Sequence, residues 1–437
     1  MTEKVSTSAL RQQITERFMR KLDKYLPESG QLRPWTISKI EQEILKDSLE
    51  IARDVLEARI QVDPLRVPAE KPRCPRCDRA LMGLRDQATH KQTIFGPIRF
   101  ERSHGYCRPC KAAFSPLDTS WKFGEGCYSP NFLENLVFYS QMIAGFPDAH
   151  SVLTKTFPVK LTLNQVWQQT MRVGADLVRR RDEEVKAMLA GHPPQGPANA
   201  PDLLVISLDG GRIQDRSRPA GDRWCEYKAA VVYRVTREAA AREGRLLDPQ
   251  EKPHWFYRAG ADGFERVDRG GKTYRDPEPE VKTFTASTET VERFPLLVEL
   301  EAKRRGMMEA QAVCFVGDGG DFVWRTAREA SEDRRAGGKR VFEVLDIIHA
   351  GEHLAEAAKA AFGVTRDGAE WLNARLGELW RGEADKLTAA LEAEACRLGP
   401  RPGGEGSAAR ILWNARATFT SIGSAFATTC SGGTGCR

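Results

Sequence analysis

At 437 residues the chain is too long for one ordinary hydrophobic core, so two to four domains are expected. Its composition includes no uncharged apolar run of about 18 residues, and the opening MTEKVSTSAL lacks the apolar block of a secretory signal. These features argue against a membrane protein and for a soluble cytoplasmic one. The net charge of +6 says little by itself, and ten cysteines, four of them in two tight pairs, suit a reducing compartment and a metal site better than a disulfide framework.

Residues 1–69 read as an N-terminal helical region, with Ile14, Phe18 and Leu22 and then Ile37, Ile40 and Ile44 recurring at helical spacing until Pro64, Pro68 and Pro72 interrupt. Residues 70–118 carry CPRC at 74–77 and CRPC at 107–110, bracketing KQTIFGPIRFERS, which alternates about Gly96-Pro97 as a hairpin does. Four thiolates at Cys74, Cys77, Cys107 and Cys110 suit one closed, structural Zn²⁺, so the segment is expected to be a zinc ribbon. Between Lys71 and Lys111 ten Lys and Arg stand against three acids, a surplus that exceeds the net charge of the whole chain. Such a surface suits phosphates, and equally suits a folding staple with a solvated exterior.

Residues 119–190 return to helical texture. Within them DAHSVLTKTF, the turn PVKLT and LNQVWQQTMRVGADLVRRR fit a helix-turn-helix with Thr162 as N-cap. That reading aims Asn164, Gln165, Gln168 and Gln169 at base edges and Arg179, Arg180 and Arg181 at phosphates. Two amphipathic helices packed on each other satisfy the same pattern. The Pro- and Gly-rich residues 191–202 read as a linker.

Strand-like runs then dominate residues 203–348: LLVISLD, EYKAAVVYRV, AVCFVGD and VFEVLDIIH, with helical patterns between, which indicates an α/β domain. The polar stretch 238–279 is expected to be a surface excursion. Asp209 and Asp318 each follow an apolar run and precede Gly-Gly. Asp-Gly after a strand is ordinary turn chemistry, but two such acids in one sheet place oxygen ligands together at its carboxyl edge, where Mg²⁺ or Mn²⁺ can bind. The two glycine pairs leave room for a ligand or backbone to approach. Residues 349–416 are helical, and 417–437 form a Thr-, Ser- and Gly-rich tail expected to be unstructured.

Taken together, CPRC with CRPC, FGPIRFERSHGYC, SPLD at 115–118, SLDGG, CEYKAAVVY, GDGGDFVW and LDIIHAGEHL resemble DDE transposases of bacterial insertion sequences, most nearly the ISKra-type group, over residues 70–365. The resemblance implies a multi-domain α/β chain: a helical region and a zinc ribbon, then an RNase H-like catalytic domain with a C-terminal helical insertion. It implies that Asp209 and Asp318 are catalytic acids binding divalent metal, that Asp346 and His349 of a DxxH motif support them, and that the partners are transposon-end and target double-stranded DNA. A homodimer or higher oligomer on DNA, in the bacterial nucleoid, goes with it.

In that family a third acid, a Glu, follows a Gly-Ser-Gly stretch after the helical insertion. Here the last acid is Glu405, so truncation or an out-of-register tail is expected to have removed it, with Glu352, Glu356 and Glu378 as possible substitutes. Strand transfer is then expected to be impaired, and a non-catalytic DNA-binding remnant is the competing reading. A further rival uses the same letters: HAGEH at 349–353 fits the HxxEH pattern of some zinc peptidases. Against it, His349 is expected to close a strand and Gly351 to interrupt a helix.

Overall fold

The computed structural model describes residues 6–123, 126–215, 218–219, 221–235, 253, 255–268, 279–399, 407–417 and 419. The protein is mixed α/β with several sheets. It divides into two compact units, Met1–Arg180 and Arg181–Arg437, with the boundary inside a long helix rather than in residues 191–202.

The first unit opens with α1 (Thr7–Leu22) and α2 (Ile37–Gln61), capped by the hydroxyls of Ser6 and Thr36. An ion network joins them. Lys21 Nζ lies 2.6 Å from both Asp47 and Glu50, while Lys24 bonds Glu43 and Asp47.

A three-stranded antiparallel sheet follows, in the order β1 (Met82–Thr93), β2 (Gly96–Cys107) and β3 (Ala112–Phe114). The hairpin turn is Ile94-Phe95, two residues before the expected Gly96-Pro97. Thr93 Oγ1 fixes it by accepting from Phe95 N at 3.2 Å and donating to Gly96 O at 2.7 Å. Gly96 itself, at φ +106°, starts β2 where an added Cβ would sit 3.1 Å from Pro158 O. After α3 (Pro116–Ser120), helices α4 (Pro130–Met142), α5 (Phe146–Thr156) and the first part of α6 (Leu163–Leu189) bury Phe132, Leu136, Leu153 and Val166 together.

The second unit is built on a five-stranded sheet of β4 (Leu203–Gln214), β5 (Trp224–Val235), β8 (Lys282–Ser287), β9 (Ala312–Gly317) and β10 (Val341–Leu345). Its order is β10-β9-β4-β5-β8. β4 runs parallel to β9 and β9 to β10, whereas β5 is antiparallel to both β4 and β8. From β4 the chain first builds one side of the sheet, through β5 and β8, and then crosses to the other through β9 and β10. β4 and β9 therefore flank the point where the strand order reverses, the usual place for a ligand crevice in open α/β sheets.

Leu204, Ile206, Leu208, Val313 and Phe315 alternate onto one face and bury against α7 (Phe294–Arg304) and α8 (Asp321–Ala330). The short helix α9 (Glu332–Ala336) precedes β10. Helices α10 (Ile347–Phe362), α11 (Arg366–Trp380) and α12 (Ala384–Leu398), with a helical segment at 408–417, form a second core around Leu354, Leu372, Leu387 and Leu412.

The described part of the stretch expected to be a surface excursion is instead a docked hairpin, β6 (Trp255–Ala259) and β7 (Phe264–Asp268). Asn373 on α11 accepts from Tyr257 N at 2.8 Å and donates to Tyr257 O at 2.7 Å, satisfying a buried peptide from both sides. Residues 236–252, 254 and 269–278 of that region, and 418 and 420–437 of the expected tail, lie outside the described residues. No helix among the described residues is long and apolar enough to cross a membrane.

Candidate metal centres

The two cysteine pairs form matching knuckles. In the first, Asp78 N donates to Cys74 O and Arg76 N lies 3.4 Å from Cys74 Sγ. Each knuckle ends on a residue in the left-handed region, Asp78 at φ 57° and Lys111 at φ 49°. The sheet brings the knuckles together, and all four sulfurs lie within 4.8 Å of one another.

Cys74 Sγ is 3.7 Å from Cys110 Sγ, and Cys77 Sγ is 3.5 Å from Cys107 Sγ. A tetrahedron with zinc–sulfur bonds of about 2.3 Å has edges of about 3.8 Å, so the quartet fits one tetrahedral ion such as zinc. Cys74 and Cys107 are buried, which suits a closed structural site. Burial pushes the Cys74 thiol up, yet the N–H groups of Arg76 and Cys77 outweigh it and bring it down to about 7. Hydrogen bonding to Cys77 drives Cys110 up to about 12.

In the second unit, Asp209 does not end its strand. β4 continues through Gly210-Gly211 to Gln214, paired throughout with β5. The glycines are not open space for a ligand, because an added Cβ at Gly211 would sit 2.7 Å from the Tyr227 ring and one at Gly210 would sit 3.0 Å from Phe322. Toward β9, however, pairing stops at Leu208–Gly317, and on β9's other side at Leu345–Gly317. Leu208, Gly317 and Leu345 thus form one row across three parallel strands, and the residues that follow them are Asp209, Asp318 and Asp346. The β9–β10 ladder extends one step further, since Asp346 N donates to Gly317 O at 2.8 Å.

Each acid is held by local backbone. Asp209 Oδ1 accepts from Gly210 N at 2.7 Å, Asp318 Oδ1 from Gly320 N at 2.9 Å, and Asp346 Oδ1 from Ile348 N at 2.8 Å as the N-cap of α10. Adjacent strands lie about 4.8 Å apart, so the backbone spacing alone suits carboxylates that share hard cations. The oxygens are aligned but not gathered: among the described residues, only the cysteine quartet has three or more donor atoms all within 4.8 Å.

His349 does not close a strand. β10 ends at Leu345, Asp346 caps α10, and His349 and His353 both lie on that helix. Gly351 does not interrupt it either. Its place is set by Tyr257, whose hydroxyl would sit 2.9 Å from a Cβ there. Glu352 and Glu356 are exposed on the same helix, and Glu378 is engaged by Arg375 at 2.6 Å.

At the start of α6, Thr162 and Gln165 cap reciprocally, with Gln165 N donating to Thr162 Oγ1 at 3.2 Å and Thr162 N to Gln165 Oε1 at 2.8 Å. Gln165 is thereby occupied with its own helix, and Gln169 is partly buried. Asn164 and Gln168 are exposed, and so are Trp167 and Met171, which the sequence reading had not singled out although they follow at i+3 and i+7. Arg179 and Arg180 pair with Asp176 at 2.6 and 2.8 Å, and Arg181 with Asp182 and Glu289 at 3.0 and 2.6 Å. They begin 15 residues beyond Asn164, about 22 Å along the helix.

No protein-family model matches the sequence, and no curated protein matches it either.

Proposed function

We propose that this protein is a DDE-type transposase of the ISKra-like kind, which binds DNA through its first unit and cuts and joins phosphodiester bonds at the acid row of its second. The observation that carries the proposal is that Asp209, Asp318 and Asp346 each come one residue after the register row Leu208–Gly317–Leu345 of three parallel strands. A five-stranded mixed sheet with acids at the strand-order reversal supports an RNase H-like catalytic domain. Asp209 and Asp318 supply the first two carboxylates. Asp346, expected only as a supporting residue, follows the same row and serves as a third carboxylate.

Mg²⁺ or Mn²⁺ bound there supplies Lewis-acid polarisation of the phosphodiester and a more acidic bound water. The chain's own part is positional. The backbone N–H groups of Gly210, Gly320 and Ile348 each hold one oxygen of a carboxylate, fixing where the other can turn. In the first unit, Asn164 and Gln168 with Trp167 form the exposed start of α6 that reads DNA, and the basic ribbon contributes phosphate contacts.

The test uses purified full-length protein, Mn²⁺ and DNA taken from the flanks of its own gene. Nicks that vanish in both Asp318→Asn and Asp346→Asn establish the enzyme and its third acid. Nicks that persist in Asp346→Asn remove that residue from the site. A DNA mobility shift without any nick favours a DNA-binding remnant instead.

A further inference from the structure

The register row leaves a second ligand pair unused. His349 and His353 are one turn apart on α10, and their Nε2 atoms lie 3.1 Å from each other with the rings at 89°. Two nitrogens on one ion, at bonds of about 2.0–2.1 Å, stand about 2.9 Å apart at a right angle and about 3.4 Å apart at the tetrahedral angle. The observed gap falls between these limits.

Each ring's other nitrogen faces a carboxylate one turn on: His349 Nδ1 is 3.6 Å from Glu352 Oε2, and His353 Nδ1 is 4.0 Å from Glu356 Oε2. A carboxylate facing Nδ1 favours N–H there and leaves Nε2 as the lone-pair nitrogen, the arrangement that outer-shell carboxylates impose on metal-bound histidines. With Nδ1–H on both rings the two Nε2 lone pairs at 3.1 Å need a cation between them, whereas with Nε2–H on one ring the same contact is a hydrogen bond that an incoming ion would replace. Both rings are more than a third exposed, so an ion can reach them.

We propose that His349 and His353 form a bidentate site for a borderline divalent transition metal such as Ni²⁺ or Zn²⁺, separate in ligand chemistry from the oxygen row. No third protein donor joins them within 4.8 Å among the described residues, so the remaining coordination positions are left to water or an exogenous ligand. Imidazole selects these ions over Mg²⁺, whereas the carboxylates of the acid row select the reverse. The proposal does not depend on the acid row acting on DNA.

The test is calorimetric titration of Ni²⁺ into full-length protein whose cysteine quartet has first been filled with Zn²⁺. The expected result is one Ni²⁺ per chain without thiolate-to-nickel absorption. His353→Ala and His349→Ala should each weaken it by about tenfold or more, since even outer-shell changes cost about 10–100-fold. Asp318→Asn should leave it unchanged. His353→Gln, which keeps size and polarity, guards against a folding artefact and should behave like His353→Ala. Unchanged binding in either alanine variant overturns the proposal, as does a wild-type chain that takes up no nickel.

Discussion

In the first unit four sulfurs stand 3.5 to 3.7 Å apart in pairs, while in the second three carboxylates follow one register row and each accepts from a backbone N–H within two residues of it. The difference follows from how each set is positioned. A knuckle is a local object: two cysteines three residues apart, closed by a left-handed residue, and one strand pairing brings two knuckles together. The acids are 109 and 28 residues apart in the chain and meet only through two separate parallel pairings. Soft ligands aimed at one point suit a permanent structural ion, whereas the three carboxylates are aligned but not gathered.

The strongest way to break this contrast is to remove the ion from the quartet. A chelator, or Cys107→Ser, is expected to unfold residues 70–115, because structural zinc contributes on the order of 10 kcal/mol in small finger domains. Hydrogen exchange read segment by segment checks it. Protection lost in β1–β2 while β4 and β9 keep theirs is the expected pattern; a ribbon equally protected in chelator means that the quartet is no metal site.

A smaller effect targets the scaffold of the row. Arg334 is fully buried and donates to three carbonyls, Met307 O at 2.5 Å, Ala310 O at 2.8 Å and Arg340 O at 3.1 Å. Burial lowers its pKa, and these carbonyls in part compensate the charge. The first two precede β9 and the third precedes β10, so this one side chain ties together the starts of two strands whose ends carry Asp318 and Asp346. Arg334→Met strands those carbonyls and is expected to cost about 3 kcal/mol in denaturant unfolding. Mn²⁺ affinity should fall with it. Unfolding at the wild-type midpoint would show that the register has another source.

Much of this was legible in the residue order. The CxxC spacing located the quartet, Asp-Gly-Gly marked two of the three row acids, and Asp346 and His349 were visible as a motif. What spacing cannot carry is register. That Leu208, Gly317 and Leu345 line up is fixed by pairings between distant segments, so the motif alone did not show that Asp346 follows the same row as Asp209 and Asp318. A tertiary contact also accounts for a residue whose letter pointed elsewhere: Gly351 looked like a helix breaker because its neighbour Tyr257 is remote in sequence. Arg334 gave no signal at all, since a fully buried cation bound only to carbonyls cannot be told from a surface arginine by its letter.

Acid should separate the units by a further, gentler route. Hydrogen bonds from Lys24 and then Lys39 hold Glu43 at about 2, and Asp47, raised by burial, is brought well below the usual range by Lys21, Tyr25 and Lys24. A carboxylate depressed in the folded state stabilises it above the unfolded value of about 4, and that stabilisation is lost as pH falls through the folded value. Lys24, raised chiefly by Glu43, acts oppositely and loses its contribution only at strongly alkaline pH. Amides of α1 and α2 are therefore expected to lose protection between about pH 4 and pH 2. Glu43→Gln should flatten that dependence; an identical pH profile in the variant would assign the acid sensitivity elsewhere.

The finest distinction lies within the quartet itself, between its two left-handed closing residues. Asp78 tolerates φ 57° because a short polar side chain can satisfy local backbone groups there, and Arg73 bonds its carboxylate at 2.8 Å. Lys111 at φ 49° has no such compensation in its own side chain, and its N–H makes only a long 3.3 Å bond to Arg108 O. Replacing Lys111 by Ala keeps the strain and by Gly removes it, while both delete the same charge. The glycine variant should therefore hold metal more stably than the alanine one, by about 1 kcal/mol once glycine's greater unfolded-state freedom is subtracted. At position 78 the same pair of variants should differ by about as much, because both lose the aspartate's compensation along with its charge and only the left-handed strain distinguishes them. Equal stability of the two variants at 111 would mean that the second knuckle relaxes out of the left-handed region, and then the two halves of the quartet are not built alike.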